Sequence, residues 1–305
     1  DSRTDVVFSW SSAPSCSAAR RLQPPRPAAP PRVLCFVAAG ALVLGSSIRT
    51  FDSSRDMVAL VTDKVPAEWH ASLQVAGWTV KVVPELAEFW WGRAEECSHY
   101  AADQGERWGH MATKLRLWQM TQYDRVMYLD ADTVLTGPVS ELFATVTTFG
   151  AESPRYHSHF NAGVLLFDSV ALAELVTPAA VVEYAISHAA CCRFREQCAL
   201  NALVRGRVRF LPGQFNLLSW MRQRARRSPW QSQTVNPMAA LLPQERALAQ
   251  IVHCSNGCLP RRMPWYQRDC FDRYWLQLDA VLQAWERGGG RGVLQAPRFT
   301  PSRQR

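Results

Sequence analysis

Residues 125–129 (RVMYL) form an apolar run that stops on Asp130-Ala131-Asp132 and resumes as TVL. That junction restricts the fold more than any other feature of the chain. Consecutive Val, Met, Tyr and Leu read as a strand buried on both faces. Two carboxylates cannot follow such a strand into a core, so it must end where its sheet meets water. In an open α/β sheet this is the edge beyond the carboxyl ends of the strands, where ligands bind. Residues 56–61 (DMVALV), 78–83 (WTVKVV) and 163–167 (GVLLF) read as further strands. Residues 66–76 read as a helix stopped by Gly77, and 111–119, 178–188, 197–204 and 271–285 as further helices. Another helix starts over 138–143, and 34–49 is helical in its second half. Strands alternating with helices predict an α/β fold, with a mixed, mostly parallel sheet covered by helices on both faces.

A chain of 305 residues, 48% hydrophobic, has the material for one large core. Its net charge of +8 sits in an N-terminal segment, in the Arg222, Arg224, Arg226, Arg227 run and in a C-terminal tail. No stacking aromatics accompany these charges, so they read as solvated segments, and nucleic acid is not an expected partner. Residues 1–32, rich in Ser, Ala, Pro and Arg and ending PPRPAAPPR, read as a disordered leader. Residues 33–285 then form the folded domain, 222–240 a surface loop, and 286–305 a disordered basic tail. The apolar stretch 33–45 (VLCFVAAGALVLG) is shorter than the ~20 residues a membrane span needs and reads as a buried helix or strand-helix segment, with the h-region of a signal or anchor as the alternative. Nine cysteines, an odd count without zinc-ribbon spacing, leave the redox compartment open. Localisation, cytoplasmic or Golgi, is open as well.

Two carboxylates at a ligand-binding edge suit a hard divalent cation shared with phosphate oxygens. Ala131 between them lets the backbone turn closely. Such a cation neutralises charge on a departing diphosphate. An Asp-x-Asp triplet also occurs as a solvated turn, so by itself it carries little.

The rest of the chain adds weight. In order along it stand ALVLGSSIRTFDSSRDMVALVT (41–62), TKLRLWQMTQYDRVMYLDADTVL (113–135), FNAGVLLFD (160–168), EQCALN (196–201), LPGQFN (211–216) and IVHCSNGCLPRRMPW (251–265). Together they resemble glycosyltransferase family 8, nearest its glycogenin-like and plant glucuronosyltransferase-like members. The resemblance implies the Rossmann-like GT-A fold and a retaining hexosyltransferase using a UDP-sugar. It implies Mn²⁺, with Mg²⁺ as the alternative, bound by Asp130, Asp132 and His253. Donor contacts are implied for Arg107, Lys114, Asp130, Ala131, Asp132, Asn161, Ala162, Gly163, Gly257, Arg261 and Arg262. Asn161 would hold sugar hydroxyls, and the small residues after it would permit close approach. Glu196 and Gln197 match the catalytic pair beside the reacting carbon, where an acid steadies an oxocarbenium-like state or attacks transiently. The acceptor would be a protein, glycan, lipid or polyol, and a homodimer is an option. Without the family, His253 would read as a structural histidine, 161–163 as a tight turn, and Arg107 and Lys114 as surface ion pairs.

The chain departs from the family pattern in three places. PPRPAAPPR and VLCFVAAG stand where the first strand, with its part of the base pocket, is expected, and proline does not serve in a central strand. Phe36 is then the candidate aromatic wall. Glu196-Gln197-Cys198 replaces Asp-Gln-Gly, a longer acid followed by a bulkier neighbour. Met263 replaces a lysine before Pro264-Trp265, which leaves Arg261 or Arg262 to meet the phosphates. These departures motivate an alternative, a catalytically impaired nucleotide-sugar-binding protein or scaffold of the same fold.

Overall fold

The computed structural model describes residues 4–10, 32–84, 86, 110–145, 148–152, 160–188, 196–218 and 249–253. Among them are β1 (Thr4–Trp10), α1 (Arg32–Phe51), β2 (Asp56–Thr62), α2 (Ala67–Val75) and β3 (Thr79–Val83). A 3-10 segment (His110–Gln119) precedes β4 (Arg125–Leu129), β5 (Thr133–Leu135), α3 (Ser140–Thr145), β6 (Phe149–Glu152) and β7 (Val164–Asp168). Then come α4 (Ser169–Leu175), α5 (Pro178–His188), α6 (Glu196–Leu203), β8 (Val208–Leu211), β9 (Leu217–Leu218) and β10 (Ile251–His253).

The main sheet runs β3-β2-β1-β4-β7-β6-β8. The pairings β3–β2, β2–β1, β1–β4 and β6–β8 are parallel, whereas β7 is antiparallel to both β4 and β6. The expected mixed, mostly parallel sheet is therefore present.

β1 corrects the sequence reading. The first strand is not displaced by the proline-rich stretch: it is TDVVFSW, inside the supposed leader, with Val7 opposite both Val58 and Tyr128. The folded domain thus begins no later than Thr4 rather than at residue 33. Val, Val and Phe at 6–8 are residue types that favour a strand, but the Ser, Pro and Arg content after them dominates the composition. The stretch VLCFVAAG, Phe36 included, belongs to helix α1 instead of a strand. Among the described residues no helix is long and apolar enough to cross a membrane.

Side-chain alternation makes two cores. Met57, Ala59 and Val61 of β2, with Met127 and Leu129 of β4, face Ala41, Leu44 and Ile48 of α1. Those three helical positions recur at three- and four-residue steps, the stripe a helix presents to a sheet. The alternate residues Val58, Leu60, Val126 and Tyr128 pack on Ala112, Leu115 and Trp118 of the 3-10 segment and on Ala199 and Leu200 of α6. Burial on both faces is why these strands read as continuous apolar runs.

A second, three-stranded sheet has the order β5-β10-β9. Its β5 continues directly from the acidic turn and is tied to α1, because Ser47 Oγ accepts the Leu135 N–H at 3.1 Å. β10 runs antiparallel to β5 with His253 opposite Thr133. A residue far away in sequence is thereby delivered beside Asp130 and Asp132.

Candidate active site

Asp130 ends β4 at the expected edge. Its N–H donates to Gly163 O at 2.8 Å, which locks the turn to the strand entering β7. Thr133 closes the turn, its Oγ donating to Asp130 O at 2.7 Å. The two oxygens of the Asp130 carboxylate have different surroundings. Oδ1 accepts the Tyr128 hydroxyl at 2.6 Å and meets Lys114 Nζ at 3.1 Å. Oδ2 lies 3.9 Å from His253 Nε2. Asp132 Oδ1 is 3.1 Å from the same nitrogen. One ligand atom each from Asp130, Asp132 and His253 lies within 4.8 Å of the others. Two carboxylates and an imidazole are a suitable donor set for a divalent first-row ion, so the residues present fit the implied metal.

The electrostatics agree. Burial lowers the His253 pKa, but Asp132 first and Asp130 second outweigh it, and the net shift is upward. Burial raises the Asp132 pKa, and His253, aided by backbone hydrogen bonding and Lys114, reverses the sign. Asp132 is thereby held as a carboxylate, with negative charge where a cation would sit.

His253 Nδ1, on the other side of the ring, lies 3.0 Å from Asn216 Oδ1. Asn216 Nδ2 donates to Asn161 Oδ1 at 3.0 Å, and Gly163 N–H donates to that same oxygen at 2.9 Å. Gly163 is also required sterically by its neighbour. A Cβ there would overlap His253 Cε1 and lie 2.6 Å from Nδ1. Its missing side chain makes room for the metal-ligand candidate.

Lys114 is buried rather than on a surface. Besides Asp130 it reaches Ala162 O at 3.0 Å and Glu196 Oε1 at 3.5 Å, and its ammonium stands 5.0 Å from the centre of the Tyr128 ring. Burial lowers its pKa, but Asp130 and then Glu196 reverse this to a net rise, so it stays charged. This one ammonium serves two carboxylates and stands nearer to Asp130. Glu196 is left with the weaker share, and burial, against the opposing pull of Lys114, pushes its carboxyl up to about 7. Its Oε2 is buried and has no hydrogen-bond partner among the described residues.

Gln197 Oε1 accepts the Ala162 N–H at 3.0 Å. Asn201, one turn on, accepts the Phe160 N–H at 2.7 Å and donates to Phe160 O and Gln197 O. Helix α6 is therefore stitched to the 160–162 segment, and the catalytic-pair candidates face the metal-site candidates across Lys114. Cys198, the next residue of α6, is buried and disulfide-bonded.

The structure thus brings together Lys114, Asp130, Ala131, Asp132, Asn161, Ala162, Gly163, Glu196, Gln197 and His253. Arg107, Gly257, Arg261, Arg262 and the 271–285 helix lie outside the described residues, as do the 222–240 loop and the 286–305 tail. Sequence reasoning does not single out Tyr128, Asn201 or Asn216. Each is a polar side chain inside an apolar segment, and such a group needs a partner when buried.

The family model described as Glycosyl transferase family 8 matches residues 35–241. Glycogenin-2 of Homo sapiens is 32% identical over 49% of this chain and 28% of its own length. UDP-glucuronate:xylan alpha-glucuronosyltransferase 1 of Arabidopsis thaliana is 29% identical over 42% of this chain and 18% of its own length. The chain thus spans well under half of these curated relatives. Among solved structures, the galactosyltransferase LgtC in complex with donor and acceptor sugar analogues superposes with a TM-score of 0.59. At 14% identity, covering 92% of this chain and 99% of that one, it is a likeness of fold, the GT-A fold.

Proposed function

The chain belongs to glycosyl transferase family 8, and from that premise we propose that it is a retaining glycosyltransferase. It moves a hexosyl or related sugar from a UDP-sugar to a hydroxyl-bearing acceptor, with Mn²⁺ held by Asp130, Asp132 and His253. The observation that carries this reading is the convergence of those three side chains within 4.8 Å, next to the buried Lys114–Glu196 pair. The resemblance supports the retaining course, and the name of the Arabidopsis relative supports a UDP-linked donor.

When bound, the cation screens the donor diphosphate and the charge that grows on it as the glycosidic C–O bond breaks. Everything else falls to side chains and backbone. Lys114 holds the Asp130 carboxylate in place and fixes the carbonyl of Ala162. Asn161, whose oxygen is engaged by Gly163 and Asn216, presents its amide N–H groups to sugar hydroxyls. Gln197 is held by the Ala162 N–H. Glu196 lies beside the anomeric carbon, and as a carboxylate it steadies positive charge building there. The acceptor oxygen bonds to that carbon on the face the leaving group vacates. Its proton passes to the departing phosphate oxygen, which retains the anomeric configuration.

The test is Mn²⁺-dependent UDP release from a panel of UDP-sugars, with Asp132→Ala as control. Release that requires both the metal and Asp132 is expected. A folded chain that binds a UDP-sugar yet releases no UDP would instead establish the impaired donor-binding protein.

A further inference from the structure

The hydrogen bonds behind His253 have a direction, and a backbone group sets it. Gly163 N–H can only donate, so the Asn161 atom it meets at 2.9 Å must be the amide oxygen. The Asn216 atom 3.0 Å from that oxygen must then be its NH₂. The opposite end of the same amide, its oxygen, consequently faces His253 Nδ1 at 3.0 Å. An oxygen there requires a proton on Nδ1. In the neutral ring this leaves the lone pair on Nε2, the nitrogen that faces Asp132 and Asp130. Asn161 and Asn216 are otherwise ambiguous amides, and this chain of donors removes the ambiguity. Asn216 is 1% exposed and His253 2%, so water does not substitute for either partner.

We propose that Asn216 is the positioning residue that fixes the His253 tautomer and ring orientation for metal binding, with its own polarity dictated by the Gly163 N–H through Asn161. This rests on the metal site proposed above. It also links the two halves of the donor site, because the amide that orients the metal ligand donates its other hydrogen bond to the residue assigned to the sugar. Partners behind a ligating histidine typically alter metal affinity 10–100-fold when removed.

The experiment measures Mn²⁺ affinity without donor, by electron paramagnetic resonance of the free ion, in the full chain. Nitrogen NMR of the histidine rings in the metal-free protein is run alongside. Asn216→Ala is expected to weaken Mn²⁺ binding roughly 10–100-fold, and to weaken it no further once His253→Ala is present. Asn161→Asp keeps an acceptor for both Gly163 and Asn216, so it preserves the polarity of the chain. In the wild type and in Asn161→Asp, Nδ1 of the His253 ring is expected to carry a proton. The inference is overturned by Asn216→Ala binding Mn²⁺ like the wild type, or by equal weakening with and without His253. It is also overturned by a wild-type His253 ring without a proton on Nδ1, a readout that holds even if Asn216→Ala does not fold. Failure of the wild type to bind any Mn²⁺, with Nδ1 protonated, refutes the metal site alone and leaves the tautomer assignment standing.

Discussion

Gly163→Ala tests the site with a single methyl group. Ordinary Cβ contacts lie at 3.4–4 Å, whereas this one would overlap His253 Cε1 and stand 2.6 Å from Nδ1 and 2.9 Å from Asn161 Oδ1. Asn161 has little freedom to move, because its oxygen is held from two sides. The imidazole must therefore retreat by on the order of 1 Å, a shift well beyond the ±0.2 Å within which metal–ligand distances are expected. Nε2 moves with the ring and leaves Asp132 Oδ1, now 3.1 Å away. Overpacking costs about 1–3 kcal/mol, and losing an oriented ligand costs on the order of 10–100-fold in metal affinity. The assay is calorimetric Mn²⁺ titration beside thermal unfolding. Gly206→Ala is the matched control. Gly206 has a φ of 77°, and a methyl group there would meet nothing within 4 Å, so alanine strains the backbone away from the site. Gly206→Ala should lower stability and leave Mn²⁺ affinity alone, whereas Gly163→Ala lowers both. Wild-type Mn²⁺ affinity in folded Gly163→Ala would refute the claim that this glycine exists to admit His253.

Two further predictions concern the buried charges. The Glu196 carboxyl is raised from 4.5 to about 7 in the fold, so the folded chain holds a proton there that the unfolded chain has lost. This stabilisation is complete below about pH 4.5 and disappears as pH rises through about 7. Glu196→Gln should flatten the corresponding fall in stability, worth about 3 kcal/mol from a shift of this size, as read by denaturant titrations at pH 5 and pH 8. An unchanged slope would show that Glu196 titrates normally. Lys114→Met leaves two acids without their shared cation. It should destabilise the fold by roughly 3–5 kcal/mol at pH 8 and by less at pH 6, where Glu196 is protonated, and it should abolish UDP release. Equal loss at both pH values would argue that the packing of the lysine stem matters more than its charge.

The features legible in the sequence are those whose physical constraint is local. An apolar run that ends on two acids must surface at a sheet edge, and β4 with Asp130 does so. The three- and four-residue spacing of Ala41, Leu44 and Ile48 reads as a helix stripe because α1 packs on one sheet face. β1 is hidden because its seven residues precede a long Pro- and Arg-rich stretch, and average composition over a window outvotes a short strand. Its place in the sheet depends on pairing with β2 and β4, which no property of TDVVFSW announces. The same holds for β5, β9 and β10, two or three residues each, which exist as strands only because they pair with one another.

The site divides along the same line. Residue types such as Asp130, Asp132 and His253 announce chemistry, so their motifs can be matched. Orientation comes from residues whose types announce nothing. Tyr128 is a case where the signal is available: on a strand it shares a face with Asp130 two positions on, and a buried phenol needs an acceptor. Their hydrogen bond at 2.6 Å follows from spacing alone once the strand is accepted. With Lys114 it occupies Oδ1, and that is why Oδ2 is the oxygen turned toward His253. Asn216 offers no such shortcut. It meets His253 through β9 and β10, lying parallel and brought together from segments well separated in sequence, so its role becomes visible only when the two strands are seen side by side. The direction of its hydrogen bonds then follows from the one donor in the chain that has no choice, the amide of Gly163.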